Sequence, residues 1–375
     1  MAKQGLRTFT NKIFIVANIF TALLFIAGAS VQFFNPVSWW FLGLATFILP
    51  YLLLLLLFFI VFWLFTKPAW ISISVITLII CWSNIKNVFP FHFSSSFEVE
   101  KNVYDLRVMS WNVEQFNIQH YKDKPWIKQQ MLDLINKYDP DIACFQEVVA
   151  GEKKKGINYF PDIVNKLKFK DYFFSYALKD DFDSYHHFGI LIFSKLPIVK
   201  KQAFINTPND YNSSFQYIDV LKGTDTVRVF NIHLQSLKFS KENLSYLDRG
   251  GLKSDSNITE SKNIISKMKT GFIKRSVQAD FIKDEISHSR YPVVVCGDFN
   301  DVPDSYAYAT IKADLQDAFV EKGAGISRTF SAISPTLRID NIFAGKNFTI
   351  TQFTRVKKLL SDHFPIVADM VVCKK

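Results

Sequence analysis

The hydrophobic pattern changes abruptly near residue 88 and predicts two parts of different character. Between Lys12 and Lys67, 54 consecutive residues carry no charge, which as a helix would extend about 80 Å. Because one membrane crossing takes about 20 residues, this run predicts two spans, Ile13 to Phe34 and Trp39 to Thr66. Pro50 predicts a kink within the second span.

A third apolar segment, Pro68 to Ile85, is 18 uncharged residues long, which is short but adequate for another span. A cleaved signal peptide ending at the sequence AGAS, residues 27–30, is the alternative interpretation. Such a signal would leave the second and third apolar runs unexplained. The pattern therefore favours a membrane anchor over residues 1–88, with about three transmembrane helices.

The cations that flank the apolar runs predict the orientation of this anchor. Lys3, Arg7 and Lys12 precede the first span, and Lys67 follows the second, whereas the loop between the two spans carries no charge. The amino terminus and the Lys67 loop are therefore expected in the cytoplasm of a bacterial inner-membrane protein. Three spans place everything after Lys86 on the non-cytoplasmic side; if the third segment does not cross, the remainder is cytoplasmic.

Beyond a linker at residues 89–104, short apolar runs alternate with segments of helical periodicity from residue 105 to 375. The predicted strands are Leu106 to Val113, Asp141 to Phe145, Phe188 to Phe193, Phe215 to Leu221, Thr226 to His233, Pro292 to Gly297, Arg338 to Phe343 and Pro365 to Val372. The predicted helices are Trp126 to Lys137, Tyr159 to Leu167, Ser261 to Ile286 and Ser305 to Ala313. This alternation is typical of an α/β domain. The polar segment Lys238 to Glu260 has no period, and a long mobile loop is expected there.

Charge and cysteine content narrow the function only slightly. The net charge is +10, but residues 1–97 hold five cations and no acid, so the remainder has 39 cations against 34 acids. This mild excess fits a phosphate-bearing substrate, yet many proteins without one are equally basic. The four cysteines form no CxxC pair, so neither a disulfide framework nor a zinc site is expected.

Six apolar strands deliver amides, carboxylates or imidazoles at or near one end. The stretches are "RVMSWNVEQF" with Asn112, "DIACFQEV" with Glu147, "VFNIHLQS" with Asn231 and His233, "GDFN" with Asp298 and Asn300, "RIDNIF" with Asp340, and "SDHFPIV" with Asp362 and His363. Each residue alone has an ordinary explanation as a turn former, a helix cap or a hydrogen-bonded core histidine. Together they lie where open α/β sheets build their sites, and they offer enough oxygen ligands for Mg²⁺ or Mn²⁺.

The ordered set WN, QE, NxHL, GDFN, D and SDH resembles the endonuclease/exonuclease/phosphatase superfamily, the DNase I-like metal-dependent phosphoesterases. The resemblance covers Leu106 to Val372 and leaves out the membrane anchor. It implies an α/β fold of four layers, in which two mixed sheets pack face to face with helices outside. It also implies a divalent cation, Mg²⁺ or Mn²⁺, as cofactor.

The resemblance implies a role for each of these side chains. Glu147, Asn112 and Asp362 correspond to the metal region. His363 corresponds to the catalytic histidine and Asp340 to its orienting carboxylate, Asp298 to the acid or base, Asn300 to the group that positions water or phosphate, and His233 to a donor to a phosphate oxygen. Around this set, Gly297 is expected to permit a close backbone approach, Pro303 and Asp304 to open the following helix, and Arg275 to be structural or part of a surface ion pair.

The sequence therefore predicts a membrane-anchored, Mg²⁺-dependent phosphoesterase that hydrolyses a phosphodiester. The substrate stays open between nucleic acid, a phospholipid head group and an inositol phosphate, since the lysine-rich stretches GEKKKGINYF and Lys238 to Glu260 could equally be solvated faces. The alternatives are a phosphomonoesterase of the inositol-phosphate phosphatase type and a membrane-tethered binding protein without turnover. No protein partner can be inferred.

Overall fold

The structure is a computed structural model, which describes residues 2–93, 96–120, 122–151, 157–176, 186–205, 214–248 and 257–373. Its helices are α1 (Ala2–Ala29), α2 (Pro36–Trp39), α3 (Leu49–Thr66), α4 (Ile71–Ile80), α5 (Trp82–Val88), α6 (Pro125–Tyr138), α7 (Phe160–Leu167), α8 (Lys241–Asp248), α9 (Asn257–Ser287), α10 (Tyr306–Lys312) and α11 (Ala318–Lys322). Short 3₁₀ helices cover Val31–Phe33, Trp40–Ile48, Pro68–Trp70 and Glu114–His120. Its strands are β1 (Leu106–Asn112), β2 (Ile142–Gly151), β3 (Asp171–Tyr176), β4 (His186–Ser194), β5 (Ile198–Ile205), β6 (Ser214–Lys222), β7 (Asp225–His233), β8 (Val293–Asp298), β9 (Gln316–Asp317), β10 (Asp340–Ala344), β11 (Phe348–Arg355) and β12 (Ile366–Val372).

The strands form two six-stranded mixed sheets of the same design. The first has the order β11-β12-β1-β2-β4-β3 and the second has the order β5-β6-β7-β8-β10-β9. Each sheet has one parallel pair at its centre, β1 with β2 and β7 with β8, and antiparallel neighbours on either side. The carboxyl ends of four central strands are thereby available to one site.

The two sheets pack face to face because alternate residues of the central strands are apolar on the shared face. Leu106 and Val108 of the first sheet meet Val229, Val294 and Cys296 of the second in one buried cluster. The opposite faces are covered by helices, with α6 and α7 on the first sheet and α9 and α10 on the second. The fold is thus the four-layer α/β sandwich expected from the sequence.

The four strands that the sequence analysis missed are all edge strands. β3 and β11 end the first sheet, and β5 and β9 end the second. An inner strand is buried on both faces and reads as a continuous apolar run, whereas an edge strand such as β11 alternates buried with exposed positions and carries polar residues. The prediction of a loop over Lys238 to Glu260 was also wrong in part, because α8 and the first turn of α9 lie within it.

Two segments of the amino-terminal part are long and apolar enough to cross a membrane, Phe9–Phe33 and Pro36–Thr66. Pro50 does not kink a continuous helix as predicted: it lies in the first turn of α3, after the 3₁₀ helix Trp40–Ile48. Proline is tolerated there because the first-turn amides have no partner within the helix. The third segment is bent by 73° between Ile80 and Trp82, so it is either a broken span or a re-entrant loop.

The amino-terminal helices contact the α/β domain at several points. Gly43 lies against Phe272 of α9, where an added Cβ would come within 3.0 Å of the ring. Asn87 donates a 2.7 Å hydrogen bond to Asp304 through buried side chains. Residues 89–104, predicted as a linker, also contact the domain, since Phe91 forms a β-bridge with Ala324. The α/β domain therefore sits directly on the apolar segments.

A buried ion pair between Arg107 of β1 and Asp369 of β12 gives a test of this packing. Arg107 is fully buried, and its Nε and Nη2 donate to the two carboxylate oxygens of Asp369 at 2.7 Å. Arg107→Met should destabilise the domain by about 3–5 kcal/mol, because it leaves the Asp369 carboxylate buried without its cation, with the Gln352 amide as a remaining donor. Thermal unfolding in detergent should show a transition lowered by about 10 °C.

The double variant Arg107→Met/Asp369→Leu is the matched control, since it removes the stranded charge and should recover much of the loss. A single variant as stable as the wild type would contradict the importance of this pair.

Candidate functional site

The shared face of the two sheets is apolar along most of its length and becomes polar at one end. In β1 the residues on this face run from Leu106 and Val108 to Asn112, and in β8 they run from Val294 and Cys296 to Asp298. His233 likewise ends β7. The alternation that buries the apolar residues therefore also directs these polar side chains into one place between the sheets.

A polar layer separates the apolar core from this site. Gln146 of β2 donates from its side chain to Asn231 Oδ1 of β7 at 2.7 Å, and Asn231 Nδ2 donates to the carbonyl oxygens of Phe145 and Leu191 at 3.0 Å. Both amides are fully buried. These bonds connect the two sheets and fix their relative position next to the site.

The carboxylate of Asp298 is the centre of the site. Its Oδ2 accepts a 3.1 Å hydrogen bond from Asn112 Nδ2 and lies 3.6 Å from His233 Nε2 and 3.7 Å from His363 Nε2. Burial raises the pKa of Asp298; the nearby His363 opposes this rise and the carboxylate of Asp340 adds to it. Asn112 belongs to the first sheet and Asp298 to the second, so the site forms only when the sheets pack.

Strand register explains why His233, Asp298 and Asp340 lie together. His233 is the partner of Asp298 across the parallel pair β7–β8, and Asp340 is its partner across the antiparallel pair β8–β10. Neighbouring strands are about 4.8 Å apart, so the three side chains form one row. Gly297 permits this pairing, because its φ is +149° and an added Cβ would lie 1.9 Å from the carbonyl oxygen of Ile232. The close backbone approach expected at this glycine is confirmed.

His363 is held between Asp340 and Asp298. Its Nδ1 lies 2.9 Å from Asp340 Oδ2, its backbone oxygen accepts from Trp111 Nε1 at 3.0 Å, and the ring of Phe330 lies 5.0 Å away. Burial alone would lower the pKa of His363, but the carboxylates of Asp340 and Asp298 outweigh burial and raise it well above its usual value. The two carboxylates thereby favour the protonated form of this imidazole.

Glu147 reaches the site through an irregularity in β2. The register with β4 shifts between Phe145 and Val148, and Glu147 has a φ of +54°. In a regular strand its side chain would point toward the outer helices; instead its Oε1 lies 3.8 Å from His233 Nε2. Burial raises the pKa of Glu147 to about 7, and the negative charge of Asp362 adds to this rise.

Asn300 completes the loop after β8. Its backbone amide donates to Asp298 Oδ1 at 2.8 Å, and its side-chain Nδ2 donates to the carbonyl oxygen of Leu234 at 3.0 Å. Its φ of +51° is a left-handed conformation that asparagine adopts more readily than most residues. The loop thereby holds Asp298 Oδ1 and leaves Oδ2 directed toward His233 and His363.

Glu114 is a site residue that the sequence analysis did not single out. Its Oε2 accepts a 3.2 Å hydrogen bond from the backbone amide of Asp362. Burial raises its pKa, and the Asp362 carboxylate raises it further. Glu114 follows Asn112 by two residues at the end of β1 and begins four consecutive residues with positive φ, a conformation that the letters of the sequence do not reveal.

The interpretation of Asp304 was wrong. Asp304 does not open α10, whose cap is Ser305; it is fully buried and accepts the hydrogen bond of Asn87 instead. Of the two roles expected for Arg275, the structural one is confirmed, because Arg275 is fully buried and its Nε donates to Asp301 Oδ2 at 3.1 Å. Both residues connect secondary-structure elements that are far apart in sequence, which a local pattern does not show.

Two groups of side chains could hold a cation. Among the described residues, Asp298, Asp340 and His363 offer ligand atoms within 4.8 Å of one another, but His363 Nδ1 and Asp340 Oδ2 are already hydrogen-bonded to each other at 2.9 Å. The second group is the predicted set Glu147, Asn112 and Asp362, to which Glu114 is adjacent. Here the carboxylate of Asp362 adds to the raised pKa of Glu147 and of Glu114, and hard oxygen donors of this kind fit Mg²⁺ or Mn²⁺.

The comparisons with known proteins agree with this geometry. A family model described as the endonuclease/exonuclease/phosphatase family matches residues 109–363, and a domain of unknown function (DUF8431) matches residues 11–88. No match was found among curated proteins.

Solved structures with the same fold cover the α/β part of the chain. An endonuclease/exonuclease/phosphatase family protein from Bacteroides thetaiotaomicron is 18% identical, with coverage of 72% of this chain and 98% of its own and a TM-score of 0.50. One from Beutenbergia cavernae is 20% identical over 72% of both chains, with a TM-score of 0.49. A mannosyl-6-phosphatase from Bacteroides thetaiotaomicron is 18% identical, with coverage of 71% and 99% and a TM-score of 0.48. The family model matches more than half of the residues of this chain, and the fold and the site agree with it. The chain therefore belongs to the endonuclease/exonuclease/phosphatase family, whose members are phosphoesterase hydrolases.

Proposed function

We propose that this protein is a membrane-anchored phosphoesterase that hydrolyses a phosphodiester with the help of Mg²⁺ or Mn²⁺. The observation that supports the proposal is the convergence on Asp298 Oδ2 of Asn112, His233 and His363, with Glu147 beside His233. Side chains from both sheets meet there in one cleft that also contains Asn300 and Asp362.

Glu147, Asn112 and Asp362 would hold the cation, and Glu114 would orient Asp362 through its backbone amide. Bound there, a divalent cation polarises a phosphoryl oxygen and neutralises charge on the leaving oxygen. The raised pKa values of Glu147 and Glu114 support this assignment, because a cation removes the repulsion that causes part of the rise.

The remaining side chains act on the phosphate and the attacking water. His363, whose Nδ1 lies 2.9 Å from Asp340 Oδ2, donates a hydrogen bond to a phosphate oxygen, and His233 and Asn300 stabilise the other oxygens as charge develops. Asp298 is the group that accepts the proton of the water as its oxygen attacks phosphorus, because its carboxylate lies at the centre of the site beside Asn112, His233 and His363. Asp340 positions the His363 ring through the bond to Nδ1.

The membrane topology is part of the same proposal. Asn18 of α1 accepts from Ser74 of α4 at 2.9 Å, and Asn84 Nδ2 of α5 donates to the carbonyl oxygen of Ala29 at 3.1 Å. The third apolar segment therefore runs in the same direction as α1 and ends beside the carboxyl end of α1. In an anchor of three crossings, the first and third spans have this same direction. Together with the cations near the amino terminus, this supports an inner-membrane anchor with residues 105–375 on the non-cytoplasmic side.

Two other functions use the same residues. A phosphomonoesterase of the inositol-phosphate phosphatase type would need the same cation and histidines and differ only in the substrate that fits the cleft. A membrane-tethered binding protein without turnover would have no need of the buried pair His363–Asp340 beside Asp298, which costs desolvation free energy. A diester and a monoester therefore belong in the same assay.

The full-length protein in nanodiscs should hydrolyse bis(4-nitrophenyl) phosphate in the presence of Mg²⁺, and EDTA should abolish the reaction. His363→Ala should lower kcat/KM by about 10²–10⁴-fold, the usual contribution of a positioned acid–base group. His288→Ala, at an exposed position after α9, is the matched control and should keep full activity. Hydrolysis that survives EDTA or His363→Ala would rule out the proposed site. If 4-nitrophenol is released faster from 4-nitrophenyl phosphate than from bis(4-nitrophenyl) phosphate, the result would favour the monoesterase.

Asp340→Asn should lower the pKa of His363, since it removes the carboxylate that raises this pKa most. Because the raised pKa keeps the His363 imidazole protonated to higher pH in the wild type, the imidazole of the variant should lose its proton at lower pH than that of the wild type. Histidine carbon-13 NMR on metal-free protein measures this titration. Asp171→Asn, which breaks only the exposed pair with Lys201, should leave it unchanged; an unshifted titration in Asp340→Asn would disprove the electrostatic link.

Cys373 gives a test of the topology, because it is exposed near the carboxyl terminus while Cys81, Cys144 and Cys296 are buried. A membrane-impermeant maleimide should label Cys373 in spheroplasts and not in sealed inverted vesicles. Lys67→Cys in a Cys373→Ser background should show the opposite pattern. Labelling of Cys373 only in inverted vesicles would place the catalytic domain in the cytoplasm.

A further inference from the structure

The catalytic cleft continues into an apolar groove that ends at the membrane segments. The cavity measures about 540 Å³, and its lining includes Glu147, Asp298 and His363 at one end. At the other end it is lined by Leu44, Phe47 and Ile48 of the 3₁₀ helix and by Tyr51 of α3. One cavity thus joins polar catalytic groups to side chains of the second candidate span.

Most of the remaining lining is also apolar. It includes Phe330, Ile333 and Leu337, and Phe239, Ile264 and Met268 of the α8–α9 region. The Tyr51 hydroxyl lies 2.8 Å from Ser334 Oγ, which connects α3 to the segment that carries Ile333. The amino-terminal helices are therefore one wall of the substrate cleft as well as a tether.

The open end of the groove leads to the lipid-facing surface of α3. Ile48 and Tyr51 remain 42% and 48% exposed, and one turn further along α3 the side chains of Leu54 and Leu55 are exposed as well. A soluble domain rarely leaves such a continuous apolar surface open to water. An apolar chain that leaves the groove past Tyr51 would pass directly into the hydrocarbon layer.

The charges of the groove argue against a polynucleotide. Among the lining residues that the structure describes, which leave out residues 249–256, Lys238 is the one lysine, with no arginine, against the three acids Glu147, Asp298 and Asp362. A single-stranded nucleic acid needs a basic channel that follows several phosphates. This groove has one position suited to a phosphate, and the rest of its lining is mainly apolar side chains.

We infer that the substrate is an amphiphilic phosphodiester, a lipid phosphate ester whose apolar chain lies in this groove while its phosphate lies in the part of the cavity lined by Glu147, Asp298 and His363. The inference rests on the proposed function and adds the substrate class. The water oxygen forms a bond to phosphorus as the phosphorus–oxygen bond to the leaving group breaks, and the leaving oxygen takes up a proton. The products are a phosphomonoester and an alcohol.

The test compares two diesters with the same leaving group, 4-nitrophenyl methyl phosphate and 4-nitrophenyl octyl phosphate, on the full-length protein in nanodiscs. Because each buried methylene contributes about 0.8 kcal/mol, equivalent to roughly fourfold, kcat/KM for the octyl ester should exceed that for the methyl ester by at least about tenfold. Ile48→Asn should lower this ratio several-fold. Val199→Asn, at an exposed apolar position of the edge strand β5, should leave the ratio unchanged.

The outcomes distinguish a failure of the lipid-substrate inference from a failure of the proposed phosphoesterase function. Equal rates for both esters, each lost in His363→Ala, would overturn the lipid substrate and leave the phosphoesterase intact. A 20-nucleotide single-stranded DNA cleaved with a higher kcat/KM than the octyl ester would also overturn it. Failure to cleave any of these substrates would contradict the proposed function itself.

A measurement without turnover tests the groove independently. Alkylation of Ile48→Cys in a Cys373→Ser background should slow several-fold in the presence of octyl phosphate and remain unchanged with inorganic phosphate. Equal alkylation rates under both conditions would exclude an apolar chain from the groove.

Discussion

The burial of two carboxylates side by side is the constraint on which the site depends. Strand register places Asp340 directly beside Asp298 at the end of the shared face, and both are almost fully buried. Buried carboxylates without partners would cost far more free energy than a domain of this size can spare. The imidazoles of His233 and His363 and the amide of Asn112 supply those partners, and Asn112 comes from the other sheet. The geometry of the site therefore depends on the packing of the two sheets against each other.

The apolar amino-terminal segments are connected to the same unit through a second buried polar group. Asp304 accepts from Asn87, and Arg338 donates both to the backbone oxygen of Asn87 and to Asp317. Burial raises the pKa of Asp304 to about 7, so its protonation changes near neutral pH. A flexible tether would not need these buried contacts. Their presence, with Gly43 against Phe272, fixes the position of the groove relative to the cleft.

The sequence predicted the interior of this protein better than its edges. Inner strands such as β7 and β8 are buried on both faces and stand out as apolar runs, and the polar residues at their ends mark the site. The edge strand β11 mixes buried and exposed positions, so no apolar run reveals it. Glu114 and the inward turn of Glu147 depend on backbone conformations with positive φ, and the pairing of Asn87 with Asp304 joins residues 217 apart. Interactions of that kind follow from the tertiary fold and leave no local pattern.

The position of a bound cation tests the central claim most directly, because the cleft contains two groups that could hold one. Anomalous diffraction from crystals of the full-length protein soaked in Mn²⁺ would locate it. The account predicts a peak at the carboxylate of Glu147, on the side of Asp362, and its loss in Glu147→Gln. A peak between Asp298, Asp340 and His363, or no peak in the cleft, would contradict it.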